Sequence, residues 1–100
     1  MNLKDHEILV LRDVWCDMTS RNGFTYPKSG YVESEDWRDD DLCGGGLHGL
    51  PWGEGGDYSI GGADAIWLVL KVSTLPGNYQ HGTGEMIDKC KFRSGEVVFC

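Results

Sequence analysis

Ile66-Trp67-Leu68-Val69-Leu70-Lys71-Val72 is a run of β-branched, aromatic and aliphatic residues interrupted only by Lys71. An apolar stretch of this length reads as a strand, and its continuous rather than alternating character predicts a central position covered on both faces. Toward the N-terminus, Glu7 to Trp15 repeats the pattern with polar ends and predicts the first strand. Asn22-Gly23 then offers a two-residue hairpin turn, with a return strand through Phe24, Thr25 and Tyr26. Pro27 and Lys28-Ser29-Gly30 supply a further turn before an extended piece at Tyr31 to Glu33. Toward the C-terminus, Met86 to Phe92 and Glu96 to Cys100 predict two strands joined as a hairpin by Arg93-Ser94-Gly95, with the glycine left-handed.

The intervening segments carry turn chemistry. Ser34 to Asp41 is too charged to be core and reads as an exposed loop anchored by Trp37. From Cys43 to Gly62 nine of twenty residues are glycine, which excludes a regular helix at a cost of about 1 kcal/mol per interior glycine. Leu75 to Gly84, with Pro76-Gly77-Asn78 and Gly82-Thr83-Gly84, reads as a loop. The fold expected is mainly β, one domain over residues 1–100: a small twisted antiparallel sheet or half-barrel with long glycine-rich and acidic loops. No internal repeat is present, and free sheet edges suit either a monomer or a homodimer.

At 100 residues and 40% hydrophobic content the chain can enclose one core. Its longest apolar stretch, Ala65 to Leu70, falls far short of the ~20 residues of a membrane span. Met1 to Glu7 is acidic where a secretory leader is basic and then apolar, so the expectation is a cytoplasmic protein with Cys16, Cys43, Cys90 and Cys100 reduced.

The net charge of −7 is concentrated. Between Glu33 and Asp57, Glu33, Glu35, Asp36, Asp39, Asp40, Asp41, Glu54 and Asp57 face Arg38 alone, while both flanks are balanced. A row of carboxylates can satisfy the lysines and arginines that line a nucleic-acid channel, whereas the plainer reading is a solvated, solubilising loop. Trp37, an aromatic within this charge, is either an interface anchor or a peg that packs back on the sheet. These nine residues are the expected partner-binding set.

Chemistry-bearing patterns are sparse. Cys43 and His48 with Cys90 or Cys100 lack the paired spacing of a zinc site, so buried thiols and no metal are expected. The glycine-rich segment lacks the Gly-Lys-Ser/Thr ending of a phosphate loop. His48 with Glu54 or Asp57 is the one pair that suggests acid–base work, and a histidine bonded to the glycine-rich backbone accounts for it equally well. The expectation is no catalytic residue and no cofactor.

Four pieces in order, Gly23-Phe24-Thr25-Tyr26-Pro27, Cys43-Gly44-Gly45-Gly46-Leu47-His48-Gly49-Leu50-Pro51-Trp52-Gly53-Glu54-Gly55, Ala63 to Val72 and Lys91 to Cys100, carry a resemblance. They resemble a family of small domains of unknown function found in bacteriophages and bacterial mobile elements. That resemblance implies a mobile-element context and no agreed activity; in size and acidity the chain also resembles anti-CRISPR inhibitors, and by that analogy an anti-CRISPR-like inhibitor is the expectation. It would act as a DNA mimic on a basic nucleic-acid-binding surface of a host defence complex, a CRISPR effector subunit, with no direct contact to nucleic acid or membrane. The alternatives are a small enzyme or ligand-binding module centred on Cys43 to Asp57, and a structural phage accessory domain.

Overall fold

The computed structural model describes residues 3–20, 23–54 and 65–100. Among these, the strands are β1 Glu7–Val14, β2 Gly30–Glu33, β3 Leu47–Pro51, β4 Ile66–Ser73, β5 Tyr79–His81, β6 Cys90–Phe92 and β7 Ser94–Phe99. They form one antiparallel sheet in the order β2-β7-β4-β1-β3-β6-β5.

The apolar run at 66–72 lies inside the sheet, as its sequence predicts, between β7 and β1. It pairs with β1 from Glu7↔Ser73 to Val14↔Ile66. Alternation decides which side chains are buried. Leu68, Leu70 and Val72 are enclosed with Val10, Val14, Val32, Leu47, Phe92 and Val97. On the other face Trp67 remains 45% exposed. The expectation of cover on both faces therefore fails, because among the described residues no helical layer packs on that side.

The predicted hairpin between the last two strands is replaced by something tighter. β6 and β7 are adjacent in sequence but stand four places apart in the sheet. In a flat sheet that separation is about 19 Å. The single residue between them, Arg93, spans roughly 3.5 Å. The sheet must therefore roll into a half-barrel. Asn78 fastens the place where its ends approach: the Asn78 carbonyl accepts from the Arg93 amide at 2.9 Å. The Asn78 side chain donates to the Ser73 carbonyl at 2.7 Å and accepts from the Ser94 amide at 3.1 Å. Gly95 is not left-handed; a Cβ there would sit 3.1 Å from the Lys71 carbonyl, so this glycine permits β7 to approach β4.

Two strands lie where the sequence reads as loop. β3 runs through the glycine-rich segment, and Gly49 explains how: a Cβ would lie 2.5 Å from Val10 Cγ1 and 2.9 Å from the Leu11 carbonyl. Glycine in a strand marks such a close backbone approach. β5 occupies Tyr79–His81, and only the end of the expected 86–92 strand pairs, since Gly84–Met86 forms a 3-10 turn. The expected hairpin after β1 reduces to one bridge, Thr19↔Thr25, because β1 is paired by β4 and β3 on its two sides. Asn22 of the expected turn lies outside the described residues.

Candidate functional site

Lys91 organises the acidic segment. β6 holds it opposite His48 of β3 and Gln80 of β5, with the side chain 0% exposed. A buried ammonium needs all three of its protons accepted. Asp40 Oδ1 accepts one at 2.6 Å, the Leu42 carbonyl another at 2.9 Å, and the Gly44 carbonyl the third at 3.0 Å. Arg38 adds bonds to Asp40 Oδ2 and the Cys43 carbonyl, both at 3.2 Å. The hydrogen bond from Lys91, helped by the Leu42 amide and Arg38, holds the Asp40 carboxyl down at about 2. Residues 37–46 are thus a folded lobe wrapped around a buried cation.

Placed individually, the sequence-predicted partner residues do not form a free row. Glu33 pairs with Arg93 at 3.5 Å, Asp36 accepts from Ser34 Oγ at 2.9 Å, and Asp39 accepts from Gln80 at 2.7 Å. Asp41 packs against Gly84, and its carbonyl accepts from the Glu85 amide at 2.8 Å. Glu35 is exposed. Trp37 is half-buried, its ring where a Gly46 Cβ would be and 5.7 Å from Lys91 Nζ, so it pegs the lobe to the sheet. Glu54 lines a different cavity, and Asp57 lies outside the described residues.

Beside the lobe is a cavity of about 270 Å³ lined by Arg12, Phe24, Tyr26, Glu35, Asp36 and His48, among others. Arg12 enters it because its position on β1 shares the inward parity of Val10 and Val14. Its guanidinium donates to Tyr26 Oη and the His48 carbonyl at 3.0 Å each, and to the Asp13 carbonyl at 3.2 Å. It also lies 4.9 Å from the centroid of the Tyr26 ring. Burial, then the positive charges of Lys89, Arg12 and Lys91, push His48 down to about 4. Its Nε2 accepts from the Gly44 amide at 3.3 Å.

At neutral pH this histidine is uncharged, and the Gly44 amide occupies the lone pair of its Nε2. It cannot serve as a general base without breaking the Gly44 contact. Arg12, Tyr26 and Lys91 were missed by sequence reasoning; the available signal was a cation at core parity within an apolar strand.

The four cysteines are free thiols. Only Cys90 meets the expectation of burial, and enclosure pushes its thiol up to about 12. Cys16, Cys43 and Cys100 are exposed, and Cys43 Sγ accepts from Lys89 Nζ at 3.3 Å. Among the described residues no group of three or more His, Cys, Asp or Glu could hold a metal ion.

No family model matches the chain, and no solved structure matches it significantly. Curated relatives do. The chain is similar to an ice nucleation protein of Pseudomonas fluorescens, 35% identical over 72 residues, which is 71% of this chain and 6% of the relative. It is likewise similar to one from Pseudomonas syringae pv. syringae, 39% identical over 74 residues, 73% of this chain and 6% of the relative. The chain spans about 6% of the length of the curated relatives it matches.

This similarity corrects the inhibitor reading. A DNA-mimicking, anti-CRISPR-like phage protein with a host effector as partner is not what these relatives are, and the carboxylates offered for that contact are largely engaged within the fold. The cytoplasmic assignment falls with it. It followed from reading Met1 to Glu7 as a start without a secretory leader, which a match to 6% of a longer protein does not support.

Proposed function

We propose that the chain is a non-catalytic folded module of the kind that ice nucleation proteins contain as a small part of their length, and that it supports such a protein without itself templating ice. The observation that carries this reading is the similarity across 71–73% of the chain to relatives of which the matched stretch is only 6%.

Physical reasoning favours a supporting role. Ordering water into an ice nucleus calls for an extended surface that presents repeated groups at regular spacing. This chain has no internal repeat, and its extents are only 33 × 30 × 25 Å. Its half-exposed sheet face mixes Trp67 and Val69 with the Lys71–Glu96 ion pair rather than repeating one water-ordering residue. The non-catalytic part rests on the tied-off His48 and the internally bonded carboxylates.

Droplet-freezing of the purified chain tests the distinction. Droplets with the chain are expected to freeze at the temperature of buffer alone; a rise matching that given by an equal mass of the Pseudomonas syringae relative would make this chain an ice-templating surface and overturn the reading.

A further inference from the structure

A second cavity, of about 280 Å³, is lined by Pro51, Trp52, Glu54, His81, Ile87 and Asp88. β3 ends at Pro51, and the Glu54 amide donates to the Pro51 carbonyl at 2.9 Å, closing a four-residue turn. Its two central residues have positive φ, 55° at Trp52 and 75° at Gly53. That geometry favours Asn-Gly, and an aromatic at the first of these positions is unusual. Held there, the Trp52 side chain is left 53% exposed, with Ile87, 69% exposed, among the other lining residues.

Among the described residues, the Glu54 and Asp88 carboxylates make no hydrogen bond or ion pair, and His81 is the only basic side chain that lines the cavity. The contrast with residues 33–41 is direct, since most of those carboxylates are engaged. Two unpaired negative charges beside an exposed indole and an isoleucine call for a cation that carries apolar surface. An indole face attracts ammonium groups through its ring quadrupole, and quaternary ammonium ligands are the established example of such recognition. A hydrated metal ion would gain nothing from Trp52 and Ile87, and two carboxylates fall well short of the six to eight oxygens a calcium ion takes.

We propose that this cavity binds an alkylated ammonium ion, with Trp52 and Ile87 contacting its alkyl groups and Glu54 and Asp88 neutralising its charge. The site is separate from the Lys91 lobe, and it stands whether or not the chain acts as a module of an ice nucleation protein.

The test is a nitrogen–proton NMR titration of the whole chain at constant ionic strength, following the Trp52 indole N–H. The probes are choline chloride and its uncharged isostere 3,3-dimethyl-1-butanol. Choline is expected to give a saturable shift with at least tenfold higher affinity than the isostere. The Glu54→Gln/Asp88→Asn double variant, whose other resonances should stay in place because both side chains are at the surface, is expected to lose choline affinity at least tenfold. Equal affinity for choline and the isostere would show an apolar groove only. Unchanged binding by the double variant, or no saturable shift with choline, would equally overturn the proposal.

Discussion

At the scale of single residues, a few side chains hold structure out of proportion to their number. Lys91 gathers Asp40, Leu42 and Gly44 into one cluster, and truncating so enclosed a side chain would empty its space and leave those acceptors without their donor. Lys91→Ala is expected to lower unfolding free energy by about 2–5 kcal/mol, read from urea denaturation. A loss below about 0.5 kcal/mol would mean that the lobe is held some other way. Gly49→Ala should cost about 1–3 kcal/mol by the same measurement, because its methyl would collide with Val10 and the Leu11 carbonyl. Neither role was legible in advance. Lys91 sits in Cys90-Lys91-Phe92, where a lysine reads as solvent-facing, and only tertiary pairing shows that three acceptors converge on it. Gly49 reads as loop chemistry because its neighbours are glycines too.

At the scale of elements, β3 and the lobe beside it are where pH acts. His48 falls from the usual 6.5 to about 4 in the folded chain, so below 6.5 the unfolded chain takes up a proton that the folded chain refuses. Stability is thus full above pH 6.5 and declines as pH falls toward 4, by at most about 3 kcal/mol. Asp40, lowered from 3.8 to about 2, adds a second decline between those values as its bonds to Lys91 and Arg38 are protonated away. Denaturation midpoints measured from pH 8 to 3 should show the upper decline, and His48→Gln should flatten it. A variant with the wild-type slope between pH 6.5 and 4 would assign that slope to another group.

The same scale shows what pattern reading can recover. β1, β2, β4 and β7 were visible because β-branched and aromatic runs have few other uses. β3 and β5 were not, since one is built on a glycine that permits close approach and the other is three residues long. Adjacency in sequence also suggested hairpins at 22–26 and 92–96. In the first case β1 is already paired on both sides, and in the second one residue carries the chain across the mouth of a half-barrel.

At the scale of the whole molecule, charge distribution was the least reliable guide. The clustering of acids between Glu33 and Asp57 is real, yet Glu33 and Asp40 are paired with cations, Arg38 within the segment and Lys91 and Arg93 beyond it. Composition reports charge without reporting pairing, and an acidic surface argument needs the second. The similarity to ice nucleation proteins gives a different context, and the proposal made from it treats the rolled sheet with its bonded lobe as a supporting folded module.

A segment exchange tests that central claim most directly. In the ice nucleation protein of Pseudomonas syringae, the stretch that matches this chain would be replaced by the chain itself, and the freezing temperature of droplets compared with the intact protein and with a version lacking the stretch. The account predicts that the exchanged protein nucleates ice near the temperature of the intact one, and that Lys91→Ala within the exchanged stretch lowers that temperature toward the deletion. Freezing at the temperature of the deletion, with the inserted chain folded, would contradict it.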